Sequence, residues 1–139
     1  MRSGCATACA TPAPIGELAL LRDTSVVLVS SIAAFRGSGS GSYAASKAAL
    51  HPYALDLARE IAETGGRVNV VVPGFIDETA FFGGGLPAQR RERLVGETLT
   101  GRAGTPDDVC SMMEWLASGA AEHVTGQLFH VNGGALKPL

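Results

Sequence analysis

The chain has 139 residues, 46% of them hydrophobic and 17% charged, with a formal net charge of -2. That length suits one domain whose packed core needs no metal or disulfide, and no basic cluster marks a nucleic-acid partner. No apolar run approaches the ~18 residues of a membrane span, and Cys5, Cys9 and Cys110 are odd in number, which reads as reduced cytoplasmic thiols rather than a disulfide framework.

Residues 1–23 are rich in Ala, Thr, Cys and Pro and form an ill-defined N-terminal segment, in which 15–21 is a short apolar stretch fit for a helix. Pro12 and Pro14 interrupt it before any continuous apolar core forms, which argues against a signal peptide. Residues 24–139 carry the domain. Ser25-Val26-Val27-Leu28-Val29 is short, β-branched and almost continuously apolar, as a strand covered on both faces should be. After a Gly/Ser loop, apolar residues recur helically from Ser42 to about Thr64, where Gly65-Gly66 supply the stop. Pro52 inside that stretch predicts a kink or break near His51. Arg67 to Val72 is a second buried strand, and a helix between the two makes a βαβ unit with parallel strands. The excursion from Phe75 to about Gly104 reads as a mobile lid with an amphipathic helix over 87–99. Thr105-Pro106-Asp107-Asp108 combines an N-cap, a proline at the first helical position and acids against the helix dipole, so a helix runs from there to about Ala117. Val124 to Val131 is the third strand, ended by Asn132-Gly133-Gly134. The pattern is α/β, with about three parallel strands and flanking helices.

One spacing carries chemistry. Tyr43 and Lys47 lie four apart on a helix and share a face, so an ammonium can sit beside a phenol and favour its ionised form. An unperturbed tyrosine, with a pKa of about 10, is otherwise a poor acid/base at neutral pH. A tyrosine and a lysine one turn apart are common on solvated faces, so the weight comes from their company: Ser30-Ser31, Pro73-Gly74 and Val131-Asn132-Gly133-Gly134, each closing an apolar run.

With these motifs, residues 26–136 resemble the C-terminal catalytic portion of the short-chain dehydrogenase/reductases, including 3-oxoacyl-carrier-protein reductase-like members. The resemblance implies a Rossmann-type parallel sheet, incomplete here, and an oxidoreductase using NAD or NADP on a ketone or secondary alcohol. It implies Tyr43 as the acid/base, Lys47 as the group that binds the nicotinamide ribose and lowers the tyrosine pKa, and a serine that polarises the substrate carbonyl. Anchoring on the strand end picks Ser31 as that serine; counting back from Tyr43 by the family's commoner spacing picks Ser30. Ser31 is preferred, because loops tolerate deletions better than strand ends. Pro73, Gly74 and Ile76 resemble the stretch that lines the nicotinamide carboxamide, with Thr79 towards the pyrophosphate. Related enzymes form dimers and tetramers, so a homo-oligomer in the cytoplasm is expected.

Other patterns carry less. Gly37-Ser38-Gly39-Ser40-Gly41 is displaced from the strand end, unlike a dinucleotide fingerprint. His51, His123, His130 and Cys110 lack the short spacings of a zinc site, so no metal is expected. The T-G-x-x-x-G-x-G that opens the family's sheet and holds the cofactor pyrophosphate is not in this sequence. The expectation is therefore a truncated enzyme whose first strand presents a bare edge to other chains, with a non-catalytic interaction module as the alternative.

Overall fold

The computed structural model describes residues 22–82 and 85–136. The expected helix over 15–21, with Cys5 and Cys9, lies outside the described residues. The described residues hold three strands, β1 Ser25–Val29, β2 Arg67–Pro73 and β3 Leu128–Val131, in one sheet of order β1-β2-β3. Both pairings are parallel, from Ser25↔Arg67 to Val29↔Val71 and from Val70↔Leu128 to Pro73↔Val131. Parallel neighbours need crossovers rather than tight turns. The first crossover carries α1 Ala33–Arg36, α2 Gly41–Ala48 and α3 Leu50–Ile61; the second carries α4 Ala88–Gly96 and α5 Pro106–Ala117. The architecture is the expected Rossmann-type α/β sheet.

Side-chain alternation along β2 assigns the two faces. Val68, Val70 and Val72 pack with Ala54, Leu57, Ala58 and Ile61 of α3, whose spacing of i, i+3, i+4 and i+7 forms one stripe. Each valine so buried contributes roughly 1.5–3 kcal/mol by leaving water. On the other face, Ser25 and Arg67 both donate to the Leu116 carbonyl of α5, at 2.9 and 3.0 Å, and Trp115 meets Phe129 edge-on at 5.9 Å. Between two neighbours, β2 is buried from Val68 to Val72, whereas every residue of β1 is only half-buried. An apolar strand at a sheet edge explains that difference, and the bare edge expected for Ser25 to Ser30 is present among the described residues.

Local chemistry sets the helix boundaries. The helix expected over 42–64 is two helices parting at Ala49, followed by a tighter turn at Ala62–Thr64. Pro52 has no N–H to offer the Ala48 carbonyl, so the ladder fails one turn before it. Gly65, at φ 76, then ends the run in the left-handed region. At α5 the Thr105 hydroxyl accepts from the Asp108 N–H while the Asp108 carboxylate accepts from the Thr105 N–H, a capping box with Pro106 just inside it. Arg102 grips the same carboxylate through two nitrogens, at 2.7 and 2.9 Å. Its hydrogen bonds, followed by the backbone at Thr105, hold the Asp108 carboxyl well below the usual carboxylate range.

Two stretches differ from expectation. The short helix α1 occupies what reads as loop. The third strand, expected from Val124, begins at Leu128 because Gly126 takes φ 69 and turns the chain. Side chains supplement two backbone bonds there, Gly126 N–H to the Val68 carbonyl and Val70 N–H to the Gln127 carbonyl: Thr125 Oγ1 accepts from the Val68 N–H, Asn69 Nδ2 donates to the Val124 carbonyl, and Asn69 Oδ1 accepts from the Gln127 N–H.

The β2 and β3 ends meet where Gly74 donates its N–H to the Val131 carbonyl at 2.9 Å. A Cβ on Gly74 would lie 2.7 Å from the Asn132 Cβ and 2.8 Å from its Cα, and neither is a flexible tip. Gly74→Ala is therefore expected to destabilise the protein by about 1–3 kcal/mol, the usual cost of overpacking. An unchanged urea midpoint would refute that close approach.

Candidate active site

The exits of β1 and β2 and their loops open on one cleft of about 1170 Å3, whereas the exit of β3, Val131 to Gly133, lines a separate one of about 420 Å3. Ser31, Tyr43, Lys47, Pro73, Gly74, Ile76 and Thr79 all line the larger cleft, as does Ser30. The predicted residues, drawn from the β1 exit, α2 and the β2 exit, thus converge.

The two serines do different work. The ladder continues past β1, with Ser30 N–H donating to the Val71 carbonyl at 2.8 Å and Ile32 N–H to the Pro73 carbonyl at 3.0 Å. Alternation then turns successive side chains opposite ways. Ser30 is 3% exposed, and its hydroxyl lies 3.0 Å from the Lys47 carbonyl and 2.8 Å from His51 Nε2. One proton serves both contacts: as Ser30 donates to the carbonyl, it accepts from the imidazole. Ser31 is half-buried, and its oxygen accepts from the Ala33 N–H at 3.1 Å, leaving its own O–H to donate.

Tyr43 and Lys47 share the cleft face of α2, with the ammonium 5.8 Å from the phenol ring centroid. Lys47 Nζ donates to the Val29 carbonyl at 2.9 Å. With Ser30 on its backbone carbonyl and Val29 on its ammonium, the lysine is held at both ends by the exit of β1. The Tyr43 ring meets Phe81 at 5.4 Å, Phe81 meets Phe82 at 4.9 Å, and Phe82 meets Phe75 at 5.8 Å. This aromatic chain ties the excursion after β2 to the phenol.

That excursion is closed at its base by a single bridge between Ile76 and Gly104. Gly104 N–H donates to the Phe75 carbonyl and Asp77 N–H to the Gly104 carbonyl, at 3.0 and 2.9 Å. This pattern uses the groups flanking Ile76 and leaves Ile76 N–H and C=O without a partner among the described residues. A backbone donor and acceptor one residue past Pro73-Gly74-Phe75 can bind a planar carboxamide in two directions.

His51 lies against Phe35 at 4.9 Å, and Phe35 against His130 at 5.3 Å. Burial, and then the neighbouring His130, lower the His51 pKa, while burial alone lowers that of His130. Both rings therefore resist protonation more than a solvated histidine does.

A nicotinamide end of a dinucleotide fits the donors that converge here. A pyrophosphate does not find a built cradle: Gly37, Gly39 and Gly41 have nothing within 4 Å of where a Cβ would sit, so they enforce no close backbone approach. Sequence reasoning missed the cations of the cleft wall, Arg36, Arg90 and Arg93, and the acceptor Glu97. The spacing Arg90, Arg93, Leu94, Glu97 was the available signal, since i, i+3, i+4 and i+7 mark one helix face.

Comparison with known proteins fits this geometry. A family model described as Enoyl-(Acyl carrier protein) reductase matches residues 5–135. The chain is 36% identical over 110 residues to the 3-oxoacyl-[acyl-carrier-protein] reductase FabG of Salmonella typhimurium, covering 78% of this chain and 44% of that protein. The protein of the same name from Rickettsia felis is 39% identical over 112 residues, covering 80% and 46%. A crystal structure of a short-chain dehydrogenase/reductase from Brucella melitensis, titled a glucose/ribitol dehydrogenase, superposes with a TM-score of 0.73 at 34% identity, over 84% of this chain and 45% of that one. The chain spans less than half the length of these relatives. A family match over nearly every residue, joined to a shared fold at this level of identity, establishes the lineage: the chain belongs to the short-chain dehydrogenase/reductase family.

Proposed function

We propose that these residues are the catalytic portion of an NAD(P)-dependent oxidoreductase that interconverts a ketone and a secondary alcohol. The observation that supports it most is that Ser31, Tyr43, Lys47 and Ile76, whose backbone has no partner among the described residues, line one cleft. A bound nicotinamide cofactor supplies the hydride that goes to the carbonyl carbon. Ser31 donates a hydrogen bond to the carbonyl oxygen, where negative charge develops. Tyr43 gives that oxygen its proton, and in the reverse direction takes it back. Lys47 holds the ribose by exchanging its bond to Val29 for one to the ribose hydroxyls. Pro73 and Gly74 shape the wall, Ile76 binds the carboxamide, and Thr79 reaches towards the phosphates. The test is carbonyl-dependent oxidation of NADPH or NADH by wild type and by Tyr43→Phe, and activity that this substitution leaves unchanged would falsify the assignment.

The half-buried β1 edge is where further strands can add. We therefore infer that the protein self-associates in solution, through that edge or through its exposed helix faces. A monodisperse monomer in light scattering would sink this. The second reading is a non-catalytic module that keeps the fold and the bare β1 edge. It predicts association without carbonyl-dependent cofactor oxidation.

A further inference from the structure

The cleft is more positive than the chain. Arg36, Lys47, Arg90 and Arg93 line it against a single carboxylate among the described residues, Glu97, although the whole sequence carries a formal charge of -2. Glu97 is already shared: Arg36 pairs with it at 2.7 Å and Arg93 approaches it at 3.6 Å. Lys47 is engaged with Val29. The Arg90 guanidinium has no hydrogen bond or ion pair among the described residues, yet it lies on the cleft face of α4, one turn before Leu94. Apolar groups from three other segments, Phe75, Phe82, Val109 and Met113, share the lining.

An unpaired guanidinium beside an apolar wall selects an amphiphile. We propose that the cleft takes a ketone flanked by an apolar chain and an anionic group, carboxylate or phosphate-like, and that Arg90 is the residue that recognises the anion. This rests on reading the cleft as the substrate site of the oxidoreductase. The planar fork of an arginine matches either anion through two parallel hydrogen bonds, while the apolar chain packs against the phenylalanines. Arg36 cannot substitute without releasing Glu97. Arg90 is exposed, so part of its charge is screened by water and the expected effect is moderate.

Calorimetric titration of the purified chain tests this without requiring turnover. The probes are 3-oxooctanoate, its uncharged methyl ester, and 2-oxoheptylphosphonate, which carries a phosphate-like anion on the same skeleton. One of the anions is expected to bind at least about tenfold more tightly than the ester, and Arg90→Gln is expected to erase that preference while leaving the ester unchanged. Preference for the carboxylate or for the phosphonate names the anion. Arg59→Gln, outside the cleft, serves as control and should change neither. Equal binding of acid and ester, absence of binding by both anions, or a preference that survives Arg90→Gln overturns the proposal. A loss of NADPH affinity as large as the loss of acid affinity also overturns it, because Arg90 would then belong to the cofactor. Tyr43→Phe is expected to retain the binding preference, so failure of the acid/base assignment and failure of the anion site give different results.

Discussion

Tyr43→Phe is expected to lower carbonyl-dependent oxidation of the nicotinamide cofactor by ~10²–10⁴-fold, the range that a positioned proton donor contributes. The substitution removes one oxygen and keeps the ring, so the 5.4 Å contact with Phe81 and the packing of α2 persist. Melting temperature should therefore stay close to wild type. Cofactor affinity should stay within a few-fold, because Lys47 and the Ile76 backbone are untouched. Ser31→Ala supplies a companion test: loss of one donor to a developing oxyanion costs about 10²–10³-fold in turnover. Ser30→Ala should behave differently. Its hydroxyl is buried between the Lys47 carbonyl and His51, so its removal orphans groups in the interior and shows first as lost stability. A turnover loss from Ser30→Ala as large as that from Ser31→Ala, with no change in melting, would reverse the assignment of the two serines.

The contrast between these serines shows where sequence stops being informative. Strand ends and helix starts were legible because they depend on residues adjacent in the chain. Thr105-Pro106 begins α5 where the cap and the proline require it, and Pro52 interrupts the long helix one turn upstream because its missing N–H acts at that range. The spacing proposed as catalytic was legible for the same reason: Tyr43 and Lys47 are neighbours within one helix. What depended on a distant partner was hidden. Val124 to Gln127 reads as strand by composition, yet it is turned at Gly126 and joined to β2 partly through side chains, those of Thr125 and Asn69. The short α1 is another case, because the β1 exit that steers it bonds to Val71 and Pro73, forty residues on. The amphipathic helix expected over 87–99 did not single out its arginines, and only the fold turns Arg90 and Arg93 towards the cleft.

Asn69→Ala is expected to be the most damaging substitution away from the cleft, costing about 2–3 kcal/mol. Asn69 is 0% exposed on the central strand, in the middle of a row of valines. Its amide does what a further ladder residue would do, donating to the Val124 carbonyl at 2.9 Å and accepting from the Gln127 N–H at 3.1 Å. Alanine leaves the Val124 carbonyl only the long contact from Arg67 at 3.4 Å, and leaves the Gln127 N–H with no acceptor there. Val124 is half-buried and Gln127 exposed, so water offsets part of the cost, but backbone groups left without partners still lose more than the net value of the bond that was lost. Leucine at the same position would add apolar volume but leave the same groups orphaned, so hydrophobicity alone should not rescue the fold. The melting temperature of Asn69→Ala should fall by roughly 5–10 °C. The seam lies at the start of β3, whereas Val131 and Asn132 at its far end meet Gly74 beside the cleft. Well below the transition, the cleft should keep its geometry, and ligand binding there should remain near wild type. A variant that melts within a degree of wild type would mean that the Val124–Gln127 turn is held by Thr125 and Gly126 alone.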